Sequence, residues 1–184
     1  MKISRTYILD VDTAGAYRIG DKLQLGKYTA TCQKVRRSAS IFMLDQYLDE
    51  PYRVNPTNTN KGGYEESELR KTLQTVLAED KNFAELKEHL RPFDNGDLFR
   101  IPTVGEMFGN DDLYEMDDAE QWELMKDRRN HIAAREGMDV ECGWLQNRAH
   151  ISAALFASVG NRGHASYGIA SDSLGVRPVF QLFD

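Results

Sequence analysis

A chain of 184 residues, 41% hydrophobic and 28% charged, is long enough to bury the core of one domain and leaves little length for a second. Its 23 Lys and Arg against 29 Asp and Glu give a formal charge of −6, which excludes the broad basic field of a general nucleic-acid binder. No apolar run approaches the roughly 18 residues that span a bilayer, so no membrane partner is expected.

The opening MKISRTYILDVDTAG lacks the apolar stretch and cleavage site of a secretory signal, and a cytoplasmic location is expected. Within it, residues 3–11 (ISRTYILDV) are β-branched and aromatic and predict a strand. Residues 17–25 and 28–35 predict two more, joined at Gly26-Lys27 by a hairpin turn. Residues 41–48 (IFMLDQYL) form a fourth apolar run. The Pro-, Asn- and Gly-rich stretch 51–63 cannot build a core segment and reads as a surface excursion, with a binding edge as the alternative. From Ser67 the period changes: Leu69, Leu73, Val76 and Leu77 share one helical face, with Ser67 as N-cap. Residues 81–90 repeat that spacing with Phe83, Leu86 and Leu90, until Pro92 stops it. Residues 97–101 (DLFRI) predict a short strand. Thr103 then begins a T-x-x-E capping box over VGEMF. An acidic tract, 110–118, precedes a predicted helix over 119–135 that offers Trp122, Leu124 and Met125 for burial and places Arg128, Arg129 and Arg135 toward its C-terminal end. Strands are predicted over 142–147, 153–159, 165–169 and 176–183. Strands, helices and strands again, with little βαβ alternation, give an α+β class with helices packed on a mainly antiparallel sheet.

Motifs of chemistry are sparse. Cys32 and Cys142 stand 110 positions apart without a CxxC and read as small buried hydrophobes. His131 and the other three His show no zinc spacing, and Asp111, Asp112, Asp117 and Asp118 lack the Gly and ligand alternation of an EF-hand, so no metal and no cofactor is expected. No GxSxG elbow, Walker loop or GxGxxG is present, which points away from an enzyme.

The closing third carries a more specific signature. Gly143-Trp144-Leu145, Arg148, a small-residue strand ending Val159-Gly160, Gly163, and Gly175-Val176-Arg177-Pro178-Val179-Phe180 together resemble the C-terminus of an uncharacterised bacterial and prophage domain family that runs W-L-R…V…G…G-V-R-P. Glu66-Ser67-Glu68-Leu69-Arg70-Lys71 and the tract from Arg100 to Met107 resemble that family's S-x-L-R helix start and L-S-x-x-E segment. The basic residue of W-L-R is displaced here to Arg148. The resemblance covers residues 17–184, with 1–12 as an extra N-terminal strand. It implies one C-type lectin-like domain, similar to formylglycine-generating enzymes, in which the first and last strands pair. The cysteine pair of those enzymes has no counterpart beside Cys142.

On that fold Trp144 reads as a core anchor, and Arg177 as a structural residue that fixes neighbouring loops through its hydrogen bonds. Two groups on turns of the last strands, Asn147, Arg148 and His150 with Asn161, Arg162 and His164, followed by Tyr167, would make one donor-rich surface for a carboxylate, phosphate or sugar. The expected function is therefore a non-catalytic domain binding an unknown ligand or protein partner, open to homo-oligomer formation. The alternatives are a structural protein of a phage virion or surface assembly, and an unusual oxidase or hydrolase.

Overall fold

The computed structural model describes residues 2–4 and 17–183. In chain order, β1 (Lys2–Ser4), β2 (Lys22–Leu25), β3 (Tyr28–Arg36) and β4 (Ala39–Leu44) come first, then helix α1 (Glu68–Glu79), β5 (Leu90–Arg91) and the short helix α2 (Val104–Phe108). The last third holds β6 (Ala133–Ala134), β7 (Val140–Glu141), β8 (Gly143–Arg148), β9 (Leu155–Val159), β10 (Ala165–Ile169) and β11 (Val179–Phe183). They assemble into a six-stranded sheet of order β1-β2-β3-β4-β11-β5, a three-stranded sheet β10-β9-β8 and the pair β6-β7. Every pair of named strands is antiparallel. The class is α+β.

The expected pairing of the chain's ends is overturned. β11 lies between β4 and β5, with Phe180 opposite Phe42 and Gln181 opposite Arg91, whereas β1 pairs with β2 at the far edge of the sheet. The remainder of the strand expected over residues 3–11 lies outside the described residues. Burial explains the position of β11: four of its five residues, VFQL, are buried, so both faces need cover and both edges need partners. β4 supplies this on one side, because all six of its residues are buried.

Alternate residues of these two strands feed separate cores. Phe42, Leu44, Phe180 and Leu182 join Leu69, Leu73 and Leu77 of α1 on one face. Ile41, Met43 and Val179 join Met107, Trp122 and Met125 on the other. On the first face, ring contacts run from Tyr17 through Phe42, Phe180, Phe99 and Phe83 to Tyr28, with centroids 5.0–5.8 Å apart.

Local signals hold where the chain can answer them locally. Gly26-Lys27 closes the β2–β3 hairpin with Gly26 at φ 56°. Ser67 Oγ accepts from Arg70 N at 3.1 Å, and Thr103 with Glu106 completes the capping box of α2. Three expected elements differ. Residues 81–90 form only the 3₁₀ turns Lys81–Phe83 and Lys87–His89, because Leu90 is drawn out extended to pair with Leu182. The helix expected over 119–135 breaks into the turns Glu123–Lys126 and Arg128–His131. Between them Asp127 takes an extended conformation, and its carboxylate accepts from Arg129 N, in competition with helix hydrogen bonds. In the tract 97–101 only Arg100 bridges to β11, opposite Val179, since β5 occupies the same edge at Gln181 and Leu182. The loop 51–63 is also more than an excursion. Val54 is fully buried, Tyr52 bridges Leu174, and Asn60 Nδ2 donates to Ser152 O and Leu155 O, each at 3.0 Å.

The two larger sheets meet at a wedge. Gly143 at the start of β8 bridges Gly175, and the Tyr47 ring fills the space that a Cβ at either glycine would take. Tyr47 Oη donates to Glu141 O at 3.3 Å, and burial pushes its phenol up to about 12. Gly175→Ala must displace a ring that has nowhere to go, and it should lower stability by about 1–3 kcal/mol in urea unfolding. Inside the second core, Arg100 and Glu106 form a buried pair with Nη1 to Oε2 at 2.7 Å, and the Arg100 guanidinium lies 4.4 Å from the Phe93 ring. Glu106→Ala leaves that cation buried and unpaired and should cost about 3–5 kcal/mol, whereas Thr103→Ala should cost about 1 kcal/mol through loss of the cap alone. The same unfolding curves check both.

Candidate functional site

The residues expected to form one recognition surface are divided by the topology. In the sheet β10-β9-β8, Gly143 and Ala165 both stand opposite Val159, while Arg148 stands opposite Phe156 and Ile169 opposite Leu155. Asn147, Arg148 and His150 therefore sit at one end of this sheet, and Asn161, Arg162 and His164 sit at the other, on the order of 15 Å away along β9. Tyr167, half exposed, lies midway along β10. Adjacent loops were expected, but antiparallel pairing sends consecutive turns to opposite ends of a three-stranded sheet.

Their environments differ as well. Asn147 is buried and its side chain is fully engaged: Oδ1 accepts from Val104 N at 2.7 Å, and Nδ2 donates to Glu115 O and to Asp117 Oδ2 at 2.7 and 2.8 Å. His150, Asn161, Arg162 and His164 are exposed on turns. The Arg162 carbonyl accepts from Arg128 Nε at 2.8 Å, so the backbone of that turn is tied down while its side chain projects outward. Trp144 is buried, with Nε1 donating to Tyr52 O at 2.7 Å. Arg177 is buried and donates to the carbonyls of Leu44, Asn130 and His131.

Arg148 is the sequence-predicted residue that meets both a cavity and solvent. It forms a fork with Glu115, Nε to Oε2 at 3.0 Å and Nη2 to Oε1 at 2.5 Å, at the side of an open cleft of about 370 Å³. Four segments build this cleft: the end of β8 with Gln146, the 110–118 tract with Glu115 and Asp117, the 51–63 loop through Gly62 and Gly63 with the turn that follows it, and Thr103 at the start of α2. A Cβ at Gly63 would stand 3.9 Å from Arg148 Nε, so the loop lies directly against the guanidinium. Glu115 and Gln146 were not candidates on sequence. Glu115 was one carboxylate among several in an acidic tract, and its partner lies 33 positions away. Gly62-Gly63 was visible only as turn punctuation.

The electrostatics of the cleft correct the expected donor-rich surface. Arg148 is matched by Glu115, and Glu65 is matched by Arg70 at 3.0 Å. Asp117 accepts from Gly105 N, Ala119 N and Asn147 Nδ2, which makes it the hub that holds α2 against β8. No cation lining the cleft is without a carboxylate, so an added anion gains little. The Arg148 hydrogen bonds hold the Glu115 carboxyl below the usual glutamate range, and it serves as a permanent acceptor. Among the described residues, no cluster of three or more His, Cys, Asp and Glu is placed to hold a metal ion. Neither Cys32 nor Cys142 is in a disulfide, and among the described residues no helix is long and apolar enough to cross a membrane.

Comparison of the chain with protein-family models, with curated proteins and with solved structures finds no match. The geometry of the site is therefore the ground for a functional reading.

Because the folded-state carboxyl of Glu115 titrates lower than the unfolded one, its stabilisation is present above about pH 5 and is lost as the pH falls through the folded value. Wild type should exceed Glu115→Gln in stability by less than about 1 kcal/mol at neutral pH, since both side chains are 42% exposed. Chemical unfolding repeated at about pH 7 and pH 3 should show this difference closing at the acid end.

Proposed function

We propose that the protein is a non-catalytic ligand-binding domain of bacterial or prophage setting, and that its ligand sits in the cleft beside Arg148. The observation that carries this reading is a preformed opening, walled by four separate segments, whose one lining cation, Arg148, is already matched by Glu115. A cleft of that kind favours a neutral ligand rich in hydroxyls. Such a ligand accepts from the outer edge of the Arg148 guanidinium and donates to carboxylate oxygens, and it brings no net charge to desolvate. Acid–base chemistry is less well served. Glu115 is held ionised by Arg148, and Asp117 is occupied by three N–H donors.

A glycan array probed with the full chain tests the proposal. Wild type is expected to bind a neutral saccharide, Arg148→Ala to lose at least about tenfold in affinity, and Tyr167→Ala to leave it unchanged. An array silent toward neutral sugars, or binding that survives Arg148→Ala, sinks this reading.

A further inference from the structure

Among the strands that end a sheet, β10 has a long outer side left open. β1, β5, β6 and β7 are three residues or shorter, and the outer edge of β8 is covered, since Tyr114 bridges Ala149 and Gln146 N donates to Pro102 O at 3.1 Å. β10 runs for five residues against β9 without a break in register. Gly160 N donates to His164 O and Ala170 N to Ala154 O, each at 2.8 Å, and these two bonds set the phase of the ladder. Ser166 and Gly168 therefore spend their backbone groups on β9, while Ala165, Tyr167 and Ile169 turn theirs outward. Among the described residues, these outward groups meet one partner, Asp172 N on Ile169 O at 2.8 Å. Such an edge is ordinarily blunted by a charge, a proline or a bulge. The β10 sequence, ASYGI, carries none of these, and it leaves Tyr167 50% and Ile169 40% exposed.

The edge is complementary to itself. Two copies related by a two-fold axis at Tyr167 set Tyr167 against Tyr167, and Ala165 of each copy against Ile169 of the other. Every outward-facing residue then meets an outward-facing residue, and each facing pair exchanges two N–H···O bonds. The Ile169 carbonyl keeps a second lone pair for this purpose. Moving the axis by one residue in either direction loses one of those pairs. The same central register sets a small side chain across from a large one at Ala165 and Ile169. Charge agrees with it. Arg162 and Asp172 flank Tyr167 at equal distance along the chain, so the antiparallel arrangement brings Arg162 of one copy to the end held by Asp172 of the other. Both are exposed, and among the described residues neither side chain has an ion-pair partner.

We propose that the outer edge of β10 is an interaction surface for a second copy of this chain, paired antiparallel about Tyr167 and fastened at its ends by Arg162 and Asp172. The two three-stranded sheets then continue as one. The pairing depends on this edge alone and needs no property of the cleft at Arg148.

Sedimentation equilibrium of the full chain over a concentration series at low salt tests this. Wild type is expected to pass from the mass of one chain to that of two. Tyr167→Pro removes an N–H that points away from β9, a position where an edge strand tolerates proline, and should weaken dimer formation by at least about tenfold. Urea unfolding checks that this variant is folded. Arg162→Asp and Asp172→Arg should each weaken the dimer by about fivefold, and the two together should restore the wild-type constant. Damage to the fold would not produce that recovery, so it decides the matter even where Tyr167→Pro fails to fold. A chain that stays single up to about 1 mM, a dimer untouched by a folded Tyr167→Pro, or a double charge reversal no better than the single ones overturns the proposal.

Discussion

The insertion of β11 between β4 and β5 is the constraint on which the remaining structure depends. A strand that enters last in sequence and sits inside the sheet must find two partners already placed, and its alternate side chains must suit two cores at once. Phe180 and Leu182 meet the aromatic side, while Val179 meets the side of Met107 and Trp122. Just before it, Arg177 spends its donors on Leu44, Asn130 and His131, so the segment leading into β11 is fastened to β4 and to the turn at Arg128–His131. The same fastening places Arg177 in the wall of a cavity of about 410 Å³.

Around that insertion the fold joins its parts through close backbone approaches rather than long helices. Tyr47 is wedged against Gly143 and Gly175, which brings the three-stranded sheet up against the main one. His131 spans Gly163 O and Met125 O at 2.8 and 2.6 Å, and so ties the β9–β10 turn to the 3₁₀ segment that covers the second core. Asn60 and Asn147 act similarly, each a buried amide that collects backbone groups from distant stretches. Polar side chains of this kind make irregular connections as well defined as strands, since every group they engage would otherwise be buried without a partner.

The two cavities differ in electrostatics for a reason visible in their pairing. At the Arg148 cleft the one lining cation has an adjacent carboxylate, and the charge that remains along the lining is acidic. At the Arg177 cavity the lining carboxylate Asp45 pairs with Lys22 and also acts on the Arg177 charge.

Short-range signals were legible in the amino-acid sequence: the Ser67 and Thr103 caps, the Gly26-Lys27 hairpin, the apolar face of α1, the strand over 165–169 and the α+β class. Each depends on residues within one turn of helix or one hairpin, where propensity and spacing decide the outcome. Tertiary structure decided the rest. Residues 81–90 and 119–135 have helical spacing, yet Leu90 is drawn into a strand by Leu182 and Asp127 turns its carboxylate onto its own neighbours. The order of strands, the separation of Arg148 from Arg162 and the meeting of Arg148 with Glu115 arise from contacts between segments far apart in the chain, and no local pattern encodes which distant partner a strand edge or a charge will find.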